Sequence, residues 1–247
     1  MRDSPYAAQT AAASIPRAAD RTAPSAPDAA RSRPRVLGVL LAGLGILIAV
    51  AGWHERVAPL RWLGAALVHE DPVRPSDVAI VSVASARGAA LDAAKLYRRG
   101  LVREVWVTSW VADRVDRRLD ERGLGTPPTH DVSRRILEGS GVPASRIVVL
   151  DPPVDGLESE MAVVGAALRA RPGTRSIVLT ARSHTARARS LLRDVYAPAA
   201  GARVRAPKTD EFRPGAWWRD HGSMRELTLE CLKWVKLLAT GASARSG

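Results

Sequence analysis

Residues 77–109 read DVAIVSVASARGAALDAAKLYRRGLVREVWVTS and contain a strand pattern, a helix pattern and a second strand pattern in succession. The runs Val78–Val83 and Glu104–Ser109 are rich in Val and Ile, which is typical of buried strands. Between them, Ala89–Arg99 has apolar residues at helical spacing and stops at Gly100. Parallel sheets are built from strand, crossover helix and strand units of this kind. This stretch therefore predicts an α/β fold.

The same alternation continues toward the C-terminus. Further strand-like runs are Arg146–Leu150, Ser176–Thr180 and Ala202–Arg205, and the helical patterns are Val132–Gly139, Glu158–Arg169, His184–Tyr196 and Ser223–Leu238. Helices that alternate with strands cover both faces of a parallel sheet. We expect a three-layer, Rossmann-like, doubly wound α/β domain over residues 77–239, with a mainly parallel sheet of about five strands. Residues 240–247 are predicted to form a flexible tail.

The chain ahead of this domain has three parts. Residues 1–35 are dominated by Ala, Pro, Ser, Thr and Arg, which predicts a disordered tail. Residues 36–53, VLGVLLAGLGILIAVAGW, carry no charge and as a helix would be about 27 Å long, enough for one transmembrane helix. Residues 54–76 are predicted to be a juxtamembrane linker, either an amphipathic piece on the membrane surface or a first helix packed on the domain.

The flanks of the apolar run predict its orientation. Arg31, Arg33 and Arg35 precede it, and Trp53 stands at its far end, where an indole favours the lipid headgroups. We therefore expect a single-pass anchor in the cell membrane, with a cytoplasmic N-terminus and an extracytoplasmic domain. A cleaved signal peptide is the alternative, because residues 49–51 fit a cleavage site; the length of the run favours the anchor.

Composition and the motifs that are missing exclude several classes of function. The 247 residues include 37 Lys+Arg, 25 Asp+Glu and one Cys, with a formal net charge of +12. One cysteine excludes an internal disulfide, and the Arg-rich charge comes without any nucleic-acid-binding motif, so we expect no nucleic-acid partner. The strand ends show neither a dinucleotide fingerprint nor a P-loop, and no cofactor is predicted. The five histidines lack metal-ligand spacing, and the Gly-x-Ser-x-Gly elbow of hydrolases is missing.

Ligands of open parallel sheets bind outside the carboxyl ends of the strands, so the residues that follow the strands are the candidate site. Ser183 is predicted to cap the helix after the fourth strand, which places His184 in its first turn and Arg187 on the same face. Arg182, Arg187 and the free N–H groups of the helix would then converge on a phosphate, sulfate or carboxylate. His184 is a candidate acid or base. A purely structural capping histidine is the alternative.

Further candidates follow the first three strands. The predicted contacts to an anionic ligand there are Arg87, Ser109 and Asp151. The segment 111–129 is unusually charged, and it is interpreted either as a solvated helical excursion or as a mobile lid over the strand ends. Cys231 lies on the apolar stripe of the last helix and is interpreted as core filling.

Four segments of the chain together carry a family resemblance. They are DVAIV at 77–81, the Arg87–Gly100 helix, Gly141-Val142-Pro143 ahead of Ile147, and TARSHTARA at 180–188. In order and spacing they resemble the YdcF/SanA/ElyC-like family, a group of bacterial domains of unknown function, from about Asp77 to Leu238. A single anchor helix ahead of the domain is similar to the SanA-type branch. The resemblance implies a Rossmann-like domain with a strand-end site and a role in the cell envelope, in peptidoglycan or lipid-carrier metabolism.

The resemblance also implies site residues. The family's polar positions match Arg87, Glu160, His184 and Arg187, with Glu230 a weaker match, and His184 and Glu160 are the candidate catalytic pair. Asp131 and Asp151 stand where the family usually has Glu. The family's glycine-rich turns after the first two strands are replaced here by Val83-Ala84-Ser85 and Ser109-Trp110-Val111. The side chains of these residues are expected to narrow the pocket, to change its ligand specificity or to inactivate it.

Two functions are therefore expected to compete. The first is an anchored envelope protein that binds or processes an anionic, phosphate-bearing metabolite. The second is a non-catalytic anchored scaffold with a degenerate pocket. The retained polar residues favour the first, and the lost glycine turns favour the second.

Overall fold

The computed structural model describes residues 33–196 and 201–244. The chain divides into two units, residues 1–52 and residues 53–247. The predicted N-terminal tail lies outside the described residues, except for residues 33–35, which begin the first helix. Residues 245–247 of the predicted C-terminal tail also lie outside them.

A five-stranded, all-parallel sheet forms the centre of the second unit and confirms the predicted α/β fold. Its strands are β1 (Val78–Val81), β2 (Glu104–Val107), β3 (Ile147–Val149), β4 (Ser176–Leu179) and β5 (Arg203–Arg205). The strand order is β3-β2-β1-β4-β5. Val78 of β1 pairs in register with Glu104 of β2 and with Ser176 of β4. The chain therefore extends the sheet to one side of β1 and then crosses to the other side at β4.

Seven helices accompany the strands in the described ranges. They are α1 (Arg33–Ala66), α2 (Ala86–Arg98), α3 (Arg114–Asp120), α4 (Thr129–Gly139), α5 (Leu157–Ala170), α6 (Thr185–Ser190) and α7 (His221–Ala244). The helix predicted over His184–Tyr196 is α6 followed by a π-helical turn, Leu191–Tyr196. Helix α7 continues to Ala244, so the first residues of the predicted flexible tail are helical.

Two apolar layers cover the two faces of the sheet, because successive side chains of a strand point to opposite faces. On one face, Ala79 and Val81 of β1 pack with alanines of α2 and with Leu137 of α4. On the other face, Val78 and Ile80 pack with Met161 and Val164 of α5 and with Leu191 after α6. The central strands β1, β2 and β4 are thus largely buried between helices, whereas the edge strands β3 and β5 are mostly half-buried.

Within residues 54–76, Leu63, Leu67 and Asp71 pack on the domain, which agrees with the alternative of a packed first helix. Leu67 is buried with Phe212 and Leu227, and Leu63 packs against them. The side chain of Asp71 accepts the N–H of Val204 on β5 at 2.9 Å. Burying these apolar side chains removes them from water, so the segment forms the packed first helix and its extension. The surface-lying amphipathic alternative does not describe it.

Within the part of the chain that the structure describes, no helix is long and apolar enough to cross a membrane. The predicted anchor, residues 36–53, lies in α1. The side chains of residues 36–40, 49, 51 and 53 lie outside the described part. The anchor remains a prediction from the sequence.

The charged segment after β2 contains one short helix, α3. Every residue of α3 is exposed or half-buried. Its start is fixed locally, because the Asp113 carboxylate accepts the N–H groups of Val115 and Asp116 at 2.6 and 2.8 Å. The carboxylate of Asp116 in turn accepts the N–H of Asp113 at 3.1 Å, which completes a capping box. Helix α3 thus has the character of a solvated helical excursion.

Candidate functional site

A cavity of about 360 Å³ lies at the carboxyl ends of β1 and β4. Val83 follows β1 and His184 follows β4, and both line the cavity together with Glu160 and Lys233 from α5 and α7. The strand order reverses between β1 and β4. Open α/β sheets bind their ligands in the crevice at such a reversal. The cavity therefore lies where the fold class places a ligand.

Glu160 contributes a buried carboxyl group to this cavity. The N–H of Val83 donates to its Oε1 at 2.9 Å, and the hydroxyl of Ser82 donates to its Oε2 at 2.9 Å. The Thr180 hydroxyl donates to Ser82 Oγ at 3.1 Å. These bonds connect α5 to the ends of β1 and β4, so the position of the carboxyl group is fixed by the sheet itself.

Thr108 donates a hydrogen bond to Glu160, but burial of this carboxyl group favours its neutral form. Thr108 Oγ1 lies 3.0 Å from the carbonyl oxygen of Val81 and 2.5 Å from Glu160 Oε1. Burial raises the pKa of Glu160, although hydrogen bonds from Thr108, Val83 and Ser82 oppose this rise. Glu160 thus keeps its proton to higher pH than an exposed glutamate.

Glu230 of α7 is the centre of a second buried polar cluster. Nε and Nη2 of Arg187 each donate to its carboxylate at 2.9 Å. His184 Nε2 lies 3.2 Å from Glu230 Oε1, and Lys233 Nζ lies 3.1 Å from the same oxygen. Burial raises the pKa of Glu230, but hydrogen bonds and charges from His184 and Arg187 outweigh it and hold this pKa far below its ordinary value. Glu230 therefore stays ionised.

His184 connects this cluster with the cavity. Its side chain is 18% exposed and lines the cavity beside Glu160. Nε2 faces Glu230, whereas Nδ1 is buried and has no hydrogen-bond partner among the described residues. A buried polar atom without a partner is uncommon in folded proteins and is frequent at functional sites. The two ring nitrogens of His184 thus differ in their surroundings.

The structure pairs both arginines of the predicted anion site with carboxylates. Arg187 is fully buried against Glu230. Arg182 Nε donates to Glu70 at 3.1 Å, and its Nη1 donates to the carbonyl oxygen of Phe212 at 3.1 Å. Sequence spacing places Arg187 on the inner face of α6, where an unpaired charge would be costly, so a carboxylate meets it there. Both arginines are therefore charge-paired within the protein.

Ser183 has a different role from the predicted helix cap. A short 3₁₀ helix, Arg182–His184, comes between β4 and α6, and His184 occupies the N-cap position. The Ser183 hydroxyl is buried and donates to Glu226 of α7. The three-residue turn shifts the start of α6, so the predicted convergence of free N–H groups on Ser183 does not describe this turn.

The remaining predicted contacts lie away from this cavity. Arg87 is exposed and borders a separate cavity of about 400 Å³ near Pro207. Ser109 is buried, and its hydroxyl lies 2.7 Å from His130 Nδ1. Asp151 is exposed beyond the end of β3. The structure therefore brings together Glu160, His184 and Arg187, and it places the other three candidates elsewhere.

Several contributors to the site were missed from the sequence. Ser82 and Thr108 directly follow β1 and β2, and this position at the strand ends is a signal that points to them. Lys233 is three residues after Glu230, so both lie on one face of α7. Trp110 is 43% exposed and lines the cavity at its rim, which leaves the cavity open.

No group of three or more His, Cys, Asp or Glu side chains in the described ranges is arranged to hold a metal ion. Burial and the nearby charge of Glu230 raise the pKa of Cys231, which packs beside Leu227. A protonated, half-buried thiol is a poor nucleophile. The side chains that line this cavity include the carboxyl group of Glu160, the imidazole of His184 and the ammonium group of Lys233.

No protein-family model matches the chain, and no curated protein matches it.

Proposed function

We propose that the protein binds a small anionic molecule in the cavity at the ends of β1 and β4 and acts on it by acid–base chemistry. One observation carries the proposal. A buried carboxyl group that keeps its proton, Glu160, lines the same cavity as His184, whose Nδ1 has no partner among the described residues. A buried protonated carboxyl group can donate a proton, and an imidazole nitrogen with a free lone pair can accept one, so the cavity holds both groups that acid–base chemistry requires.

The charge around Glu230 supports an anionic ligand. The described neighbours of this carboxylate include two permanently charged cations, Arg187 and Lys233. One carboxylate and two basic side chains leave one excess positive charge, and Lys233, which also contacts Glu230 at 3.1 Å, is 48% exposed and lines the cavity. An ammonium group at a cavity wall attracts phosphate or carboxylate. Lys233 thus takes the role that the sequence assigned to Arg182 and Arg187.

The resemblance described above suggests what the anion is. Members of that family point to the cell envelope, where phosphate-bearing lipid carriers and wall precursors are common substrates. We therefore propose an anchored envelope protein whose ligand carries a phosphate group. The exposed apolar side chains of α1, among them Leu44, Leu47 and Ile48, are compatible with the anchor.

Thermal melting of the full chain in detergent, with and without millimolar phosphate, tests the proposal. Phosphate should raise the melting temperature relative to chloride at matched ionic strength, because only the folded state presents the site. Lys233→Met should abolish the rise. Lys208→Met is the matched control: it removes one lysine charge outside the cavity and should respond as the wild type does.

The outcomes separate two functions. Loss of the phosphate response in Lys233→Met alone supports the proposed site. The second candidate, a non-catalytic scaffold, is favoured by the full pairing of Arg182 and Arg187. For the wild type and for each variant, it predicts the same melting temperature in phosphate as in chloride.

A further inference from the structure

The buried carboxylate of Glu230 determines which nitrogen of His184 carries the proton. Arg187 donates to both oxygens of Glu230 at 2.9 Å, and a carboxylate in such a bidentate pair has no proton to give. His184 Nε2 lies 3.2 Å from Oε1. Since the carboxylate only accepts, Nε2 must be the nitrogen that donates.

The opposite nitrogen is then left with a free lone pair. A neutral imidazole carries one proton, so an Nε2–H ring has an unprotonated Nδ1. In the described part of the chain, Nδ1 is buried without a hydrogen-bond partner. A histidine with a purely structural role usually has both nitrogens hydrogen-bonded. The ring also lines the cavity, so a donor on a bound molecule would complete its hydrogen bonding.

We infer that Glu230 is the positioning residue of His184: it holds the imidazole in the Nε2–H form, so that Nδ1 accepts a proton from an O–H or N–H group of the bound molecule. When Nδ1 takes that proton, the positive charge of the imidazolium faces the Glu230 carboxylate through Nε2–H. The donor group of the ligand keeps the electron pair of the broken bond. This inference rests on the proposed function, since it names the proton-accepting atom of that same site.

Long-range ¹H–¹⁵N spectra of the ¹⁵N-labelled full chain report the tautomer of each histidine, and His184→Gln assigns the signals. In the wild type we expect a protonated, slowly exchanging Nε2 and an unprotonated Nδ1. In the double variant Arg187→Met/Glu230→Met the slow exchange should be lost and the two nitrogen shifts should move toward a tautomer average. Replacing the buried pair by apolar side chains of similar volume avoids leaving one charge unpaired, so the fold should be retained.

Lys233→Met is the matched control, because it removes a neighbour of Glu230 but leaves the carboxylate facing Nε2. It should keep the wild-type tautomer. A protonated Nδ1 in the wild type overturns the inference, and so does a double variant with an unchanged His184 signal. The spectra are recorded without ligand. A missing phosphate response would therefore count against the proposed function alone, and a wrong tautomer would count against the positioning role alone.

Discussion

Arg187 and Glu230 show how a buried charge decides the role of a residue. Both side chains are almost completely inaccessible to water, and they form two hydrogen bonds of 2.9 Å with each other. In such a place each charge is tolerated because the other is present. The arginine that sequence spacing offers as an anion ligand is therefore committed to the protein itself.

Replacing Arg187 by Ala should lower the free energy of unfolding by about 3–5 kcal/mol, because it leaves Glu230 buried without its main partner. The loss should be equal in phosphate and in chloride, since the charge of Arg187 is already balanced by Glu230. Urea denaturation in both buffers measures it. Arg175→Ala, which breaks the exposed pair with Asp77, is the control and should cost less than about 1 kcal/mol. Equal losses in the two variants would contradict a buried pair.

Glu160→Gln should change how stability depends on pH. The folded protein holds the Glu160 proton above the ordinary pKa of 4.5, so unfolding above that pH releases a proton. Rising pH therefore favours the unfolded wild type, and below pH 4.5 this effect vanishes. The glutamine variant cannot ionise and should gain stability relative to the wild type as the pH rises above 4.5.

Urea midpoints of both proteins across this range measure the difference. Subtracting the two curves removes the effect of the other carboxyl groups, which both proteins share. A constant difference between the curves would show that Glu160 ionises as an exposed glutamate does.

At the scale of elements, the helices differ in the contacts that stabilise them. Helix α3 depends on its own capping box, whereas α5 depends on close packing against the π-helical turn that follows α6. Gly165 of α5 lies at this contact, and a Cβ added there would lie 2.6 Å from the Cβ of Tyr196. The two elements approach this closely only because position 165 has no side chain.

Gly165→Ala should therefore destabilise the protein by about 1–3 kcal/mol through overpacking. Gly139→Ala at the end of α4 is the matched control, because a Cβ there meets nothing within 4 Å. The control should be neutral or stabilising by up to about 1 kcal/mol, since alanine favours helix more than glycine does. Denaturant melts of the two variants compare them. Similar behaviour of both would mean that α5 and the π-helical turn are loosely packed.

At the scale of the whole molecule, the domain includes chain that its sequence pattern leaves out. Leu67 belongs to the apolar cluster of Phe212 and Leu227. The Asp71 carboxylate accepts hydrogen bonds from the N–H of Val204 and, with both oxygens, from Arg189 Nη1. Leu67 and Asp71 precede the first strand, and they contact Leu227 of α7 and Val204 of β5. The folded unit therefore begins before the α/β alternation does.

A chain that begins at Arg74 should be less stable than one that begins at Trp53. Burial of Leu67 alone stabilises the fold by about 1.5–3 kcal/mol, and the shorter chain loses this contribution. Loss of Asp71 also leaves Arg189 without its carboxylate partner. Thermal melts of both chains in the same buffer measure the difference. Equal melting temperatures would show that residues 53–73 lie on the domain without stabilising it.

The predicted membrane topology is testable in cells. Protease added to intact spheroplasts should digest the α/β domain and spare an N-terminal tag, because the arginines flank the front of the apolar run. Digestion of the tag with protection of the domain would reverse the topology. A mature chain that starts at Gly52 would show a cleaved signal peptide in place of the anchor.

The sequence by itself determined the secondary structure of the domain and the class of its fold. Runs of Val and Ile such as 78–81, separated by helices that end at Gly100 or before Gly141, admit essentially a parallel sheet between two helical layers. The same logic pointed to the strand ends as the site. These features are local: they follow from periodicity, from turn residues and from the handedness of crossover connections.

Only the tertiary structure decided which side chains meet. Glu160 meets residues that follow β1 and β2, and Arg187 meets Glu230 from a helix 43 residues away. No spacing rule connects such positions, because their distance depends on strand order and on how α5 and α7 pack. Whether an arginine is free or paired, and whether a glutamate keeps its proton, depends on burial and on partners brought from elsewhere in the chain. The set of side chains that forms the site is therefore determined by tertiary packing and not by the local sequence pattern.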